Sequence, residues 1–212
     1  MRKTFELGGL IAAIVLIGFG IGAIVMSVNG RDTVRNSLKL EQITGTPDMT
    51  PSAIKAEATK AGLKNVTFPT CTVAGKSVDT GARARCFAQY MRIHTLEATG
   101  GVPYAQMPRY ATADGKGTND PTKALKDPKT GQPEDNATRN VWVTYTALTN
   151  ALNTSYLAEQ ISLFGVVVGI ALLLTGIGFG ILAAAGALRN REALLHLPTR
   201  SRESKSSIVP AH

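Results

Sequence analysis

Charge is missing from two long stretches of this chain. Leu7 to Val28 and Ile161 to Leu188 hold no Asp, Glu, Lys, Arg or His over 22 and 28 residues. Ion and proton pathways across a membrane normally need such a group, which argues against a lone channel or transporter. Cysteine is scarce, with only Cys71 and Cys86, and their spacing is neither a thioredoxin-type nor a zinc motif. Histidine is limited to His94, His196 and His212. Serine and aspartate are available, but no nucleophile elbow marks them. Asp114-Gly115-Lys116-Gly117 lacks the G-K-[ST] ending of a phosphate loop and reads as a turn. A non-enzymatic chain with no catalytic residue and no cofactor is expected.

What is there begins with the charge-free stretches themselves. At 1.5 Å rise per residue the first makes a helix roughly 33 Å long, enough for a hydrocarbon core of about 30 Å. The second crosses with tilt to spare. A cleaved signal peptide competes for the first, since Arg2 and Lys3 precede it and Val25 and Ser27 are tolerable before a cleavage site. The run outlasts a signal core of about 7–15 residues and carries no A-x-A, so an uncleaved anchor is favoured.

The net charge of +8 is spread unevenly: +1 over residues 1–6, +4 over 29–160 and +3 over 189–212. Basic clusters flanking apolar helices indicate membrane topology before nucleic acid, and no nucleic-acid partner is expected. Arg2 and Lys3 precede the first span, five basic residues follow the second, and none occurs from Asn140 to Gln160. Arg31, Arg35 and Lys39 count the other way and are outnumbered. Both termini are therefore expected in the cytoplasm, with residues 29–160 outside the cell membrane. The tail 189–212 is short, polar and basic, suited to anionic headgroups and expected to be disordered.

Glycine gives the spans a packing signature. Gly18/Gly22 and Gly176/Gly180 are both G-x-x-x-G pairs, which let helix backbones approach closely. They predict a face on which the two spans pack or on which the chain associates with a membrane-protein partner or a second copy. Background glycine, common in membrane helices, is the competing reading.

Between the spans, Val34, Leu38 and Ile43 extend the first helix until Gly45-Thr46-Pro47 stops it. Thr50-Pro51 is a helix start, a hydroxyl cap followed by proline at the first position, opening a helix over Ala53 to Ala61 closed by Gly62. Val66–Phe68 and Cys71–Val73 suggest short strands around Pro69. Asp79 or Thr80 caps a helix from Ala82 to Thr99. Residues 112–136, rich in Gly, Pro, Asp, Asn and Lys, read as a long solvated loop. Val141, Tyr145, Leu148, Leu152 and Tyr156 then form an apolar stripe at helical spacing. No breaker separates it from the second span, so one helix is expected from about Thr138 to Leu188. The predicted fold is a mainly α membrane protein. Two antiparallel spans (7–28 and 161–188) extend into a helical stalk (29–44 and 138–160) under a small α(+β) cap (45–135). Trp142 and Tyr145 are assigned to the core, with a ligand-facing role as the alternative.

An oxidising compartment and an even count pair Cys71 with Cys86 as a disulfide. His94 and Glu97 stand three apart on a helix and could share a face as a metal pair; two ligands are not a site, and a surface histidine beside a carboxylate is the simpler reading. Arg83, Arg85 and Arg92 could give that helix a basic face toward an anionic partner or simply be solvated.

Ile43 to Pro51, Cys71 through Ala88, Tyr90-Met91-Arg92-Ile93-His94, Ala111 to Gly117 and Asn140-Val141-Trp142-Val143-Thr144 together resemble an uncharacterised group of actinobacterial membrane proteins. The resemblance spans Leu7 to Leu188 and implies the same two-span class. Members of the group sometimes carry the label of aromatic ring-opening dioxygenase. A non-haem iron site wants about three His/carboxylate ligands; His94 is the one imidazole expected outside, and no catalytic residue carries over. The expected role is that of an envelope protein, structural, accessory or interacting through its outer segment. A ligand-sensing module signalling through a partner is the first alternative and an outer-face enzyme the second.

Overall fold

The computed structural model describes residues 2–185, with side chains from residue 6 onward. The basic tail and the last three residues of the second expected span lie outside that range, as do His196 and His212. Among the described residues four α-helices follow one another: α1 (Arg2–Leu40), α2 (Pro51–Lys60), α3 (Gly81–Ala98) and α4 (Thr138–Ala184), with a 3-10 turn at Tyr104–Gln106. Both α1 and α4 are long and apolar enough to cross a membrane. Each continues unbroken into polar sequence because no proline interrupts it. The chain leaves α1 where Gln42 adopts a left-handed φ of 52°.

Two compact units divide the chain: Met1–Ala23 with Val168–His212, and Ile24–Val167. In the first, α1 and α4 touch along small residues. A Cβ on Gly20 would stand 2.8 Å from both the Gly169 carbonyl oxygen and the Leu173 nitrogen. One on Gly176 would meet the Ile17 nitrogen at 2.9 Å and the Ala13 carbonyl oxygen at 3.0 Å. Backbone meets backbone there, and only glycine permits it.

The second unit has an apolar core of its own. Ile54 of α2, Tyr90 and Ile93 of α3, and Val73 and Val78 between those helices are almost fully buried. Leu38 of α1 and Leu152 of α4 close the same cluster. Local signals set the short helices. Thr50 Oγ1 accepts from Ala53 N–H, proline follows it at the first position of α2, and Thr80 Oγ1 accepts from Arg83 N–H to cap α3. After α2, Gly62 turns with φ of 67°.

The expected strands at 66–68 and 71–73 do not form, and the described residues contain no strand, only isolated bridges such as Thr44–Ser77 and Gly45–Ala74. Backbone groups here find separate partners instead of a ladder. Val73 N–H donates to Met49 O at 3.3 Å, Val78 N–H to Ile43 O at 2.8 Å, and the Tyr90 hydroxyl to Cys71 O at 2.6 Å. Pro69 removes a further donor. The Cys71–Cys86 disulfide, with Cα atoms 6.1 Å apart, ties this segment to α3.

Residues 112–136, foreseen as a long solvated loop, belong to a set of linked turns over 107–136 with a closed base. Asn136 N–H donates to Arg109 O at 2.9 Å, and its carboxamide donates to Pro108 O at 3.1 Å. Arg139 Nη1 reaches Met107 O at 2.8 Å. Farther out, Tyr110 and Thr118 exchange two backbone bonds, and Asp127 N–H donates to Gln132 O. At the tip Asp127 Oδ1 accepts from the N–H groups of Lys129 and Thr130, which hold its carboxyl below the usual range. Asp114 likewise accepts from Thr112 and Lys116 across the turn read at 114–117.

Candidate functional site

Two clusters of polar side chains stand out in Ile24–Val167, and sequence reading foresaw neither as a cluster. The first is centred on Glu159 of α4, which is 6% exposed. Its Oε1 accepts from Arg31 Nε at 3.0 Å and Arg35 Nε at 2.8 Å, both on α1. Its Oε2 accepts from the Gly81 N–H at 2.6 Å, at the N-terminus of α3. Three helices therefore meet on one carboxylate. Burial pushes its pKa up, but the bonds from Arg31, Gly81 N–H and Arg35 outweigh that and hold it below the usual glutamate range. Gly81 is required for the approach, because a Cβ there would lie 2.7 Å from Tyr156 Cα. Such a junction positions helices. With both oxygens engaged by donors, it offers no free base for chemistry.

The second cluster gathers Asp48, Glu57 and His94, each offering one ligand atom, all within 4.8 Å of one another. Asp48 belongs to the turn before α2, Glu57 to α2 and His94 to α3. Each is the sequence neighbour of a core residue, Met49, Ala58 and Ile93 respectively, so the backbone beneath each is fixed while the side chain reaches the surface. His94 Nε2 is 3.1 Å from Asp48 Oδ2, and Nδ1 is 3.8 Å from Glu57 Oε2. Despite that proximity, Nε2 is buried with no hydrogen-bond partner. Glu97, the weaker metal-pair candidate for His94, is exposed on α3 and is not a member of the group. The partners come from positions far away in sequence, which spacing along one helix does not reveal.

The remaining foreseen residues fall as follows. Cys71 and Cys86 are joined. Gly176 contacts α1, and a Cβ on Gly180 would lie 3.8 Å from Ala13 Cβ. Gly18 and Gly22 have open space where a side chain would go; between them, Gly20 meets the backbone of α4, two residues and so about 200° around the helix from either. Trp142 is buried, as a core residue should be, with Nε1 donating to Val102 O at 3.0 Å and its ring edge-on to Tyr145 at 5.4 Å. The basic residues of α3 are engaged within the chain. Arg83 pairs with Asp79 at 2.6 Å, Arg85 lies 4.7 Å from the Tyr156 ring centre and Arg92 lies 5.4 Å from that of Trp142.

No protein-family model matches the chain, and no curated protein or solved structure proves similar to it.

Proposed function

We propose that the chain is an integral protein of the cell membrane, with residues 29–160 outside and both termini in the cytoplasm. In this reading it is a non-enzymatic accessory or interaction protein presenting a disulfide-clipped domain. One observation carries the membrane assignment. The most apolar windows of α1 and α4 are only 11% and 17% buried, so these helices are not the core of a soluble fold. Phe19, Met26 and Phe164 are each about 70% exposed or more. Keeping a single such side chain in water forgoes roughly 1.5–3 kcal/mol, and lipid removes that cost for all of them together.

The order of contacts supports antiparallel spans. Ala13 and Ile17 meet Gly176 while Gly20 meets Gly169 and Leu173. Gly18 and Gly22, open in the single chain, offer a face for a second copy or a partner helix in the bilayer.

Retention in the membrane after alkaline carbonate washing tests the anchor, and its release would refute it. A cysteine introduced at Lys129 should react with an impermeant maleimide in intact cells; labelling only after lysis would reverse the sidedness. Gentle detergent extraction should recover a partner or a homo-oligomer, and isolation of a bare monomer would remove the interaction role.

A ligand-sensing role is the second reading, favoured by a groove of about 390 Å³ between α3 and α4 lined by Met91, Thr95, Tyr145 and Leu148. A small-molecule thermal-shift screen giving no stabilised hit would dispose of it.

A further inference from the structure

We propose that Asp48, Glu57 and His94 bind one divalent transition-metal cation, zinc being the best fit, which staples the turn before α2 to α2 and α3. Zinc takes imidazole nitrogen and carboxylate oxygen at about 2.0–2.2 Å, so neighbouring ligand atoms around a tetrahedral ion stand roughly 3.4 Å apart. The closest pair here is already at 3.1 Å and the three ligand atoms span no more than 4.8 Å. Side-chain rotation alone brings them onto one ion. Their exposures of 25–36% leave a path from solvent and room for a water in the fourth position.

The state of His94 separates a metal site from an ordinary ion pair. An imidazolium between two carboxylates would donate a hydrogen bond to each, whereas Nε2 is buried without one and Nδ1 is 3.8 Å from its carboxylate. A buried polar atom left unpaired is costly and calls for a partner. Asp48 Oδ2 is close to Nε2 but not in hydrogen-bonding geometry. In a coordination sphere the ion takes the Nε2 lone pair with Asp48 Oδ2 beside it, and Glu57, which now stands nearer Nδ1, turns its carboxylate to reach the same ion. The donor set also selects the metal. One imidazole favours zinc and its neighbours in the transition series over calcium or magnesium, which prefer oxygen throughout.

The test uses the full chain in detergent, carrying His196→Ala and His212→Ala to remove the other imidazoles and stripped with a chelator. Titration with zinc chloride, followed calorimetrically, should show one ion per chain and a rise in Tm. Asp48→Asn and Glu57→Gln, close in shape to the native residues, should each weaken binding by about 10-fold or more, and His94→Ala by about 100-fold or more, since removing even a supporting group around a metal costs 10–100-fold. Glu97→Gln should bind as the parent does. Cobalt in place of zinc should give the visible bands of a nitrogen–oxygen site, lost in Asp48→Asn. Circular dichroism confirms that each variant is folded, and the two near-isosteric changes decide the matter if His94→Ala is not. Absence of saturable binding, or equal affinity in parent, Asp48→Asn and Glu57→Gln, would overturn the proposal. Loss of affinity in Glu97→Gln alone would do so as well.

Discussion

Along Ala13, Ile17 and Gly20, α1 meets α4 through atoms too close to admit a side chain, and no ionised group takes part. Within Ile24–Val167 the same two helices meet through side chains: Leu38 and Leu152 in an apolar cluster, and Arg31 and Arg35 on Glu159. The difference is what the proposed membrane placement would produce. Where water is the alternative, burying Leu38 and Leu152 is favourable, and a charged carboxylate can be sunk if donors converge on it. Where lipid is the alternative, one apolar side chain gains nothing over another, and attraction comes from close approach across small residues.

The contrast can be broken first at the disulfide, which lies in Ile24–Val167. Cys71→Ser with Cys86→Ser should destabilise Ile24–Val167 by about 3 kcal/mol on the chain-entropy account of a fifteen-residue separation. Denaturant melts of the detergent-solubilised protein should show this without weakening the contact at Gly20 and Gly176. An unchanged midpoint would mean that the clip is incidental.

Glu159→Gln should cost about 2 kcal/mol, below the usual range for breaking a buried pair because Arg31 and Arg35 are partly exposed and water can take over their bonds. The pH dependence has a definite sign. The folded pKa is depressed, so the stabilisation is complete above the ordinary glutamate value of 4.5 and is lost as pH falls through the lower folded value. Melting temperatures measured from neutral to acid pH should drop less steeply in Glu159→Gln than in the native chain. Parallel curves would show that this carboxyl does not contribute.

In the other unit, Gly20→Leu should cost about 2 kcal/mol, because the new side chain runs into the backbone at Gly169 and Leu173. Gly18→Leu should leave the intrachain contact intact while lowering any self-association through the open face. Cysteine crosslinking in membranes separates the two, and equal effects would erase the distinction between the faces. The smallest change, about 1 kcal/mol, is expected for Trp142→Phe, which keeps the buried ring and loses the hydrogen bond to Val102.

Features written in contiguous residues were legible in advance. The Thr50-Pro51 and Thr80 helix starts and the Gly62 turn carry their cause within a few positions, the charge-free runs show it in their length, and the cysteines could pair only with each other. The stripe on α4 was partly misread. Val141 is exposed, and the buried positions are Trp142, Thr149, Leu152 and Glu159. A stripe sought among apolar residues passes over Thr149 and Glu159, since a buried glutamate shows itself only through its partners. Asp48, Glu57 and His94 were hidden differently, brought together by the packing of three separate segments. Within the chain Gly20, between Gly18 and Gly22, is the one that meets the backbone of α4, a choice of helix phase that a spacing of four does not specify.

The closed base of residues 107–136 has a practical consequence. Because Met107, Pro108 and Arg109 are tied directly to Asn136 and Arg139, the distance between the two ends is set at the root and owes nothing to the tip. An epitope or fluorescent tag spliced in beside Gly131 therefore adds length where the chain already reverses, leaving the α3 and α4 anchor points in register.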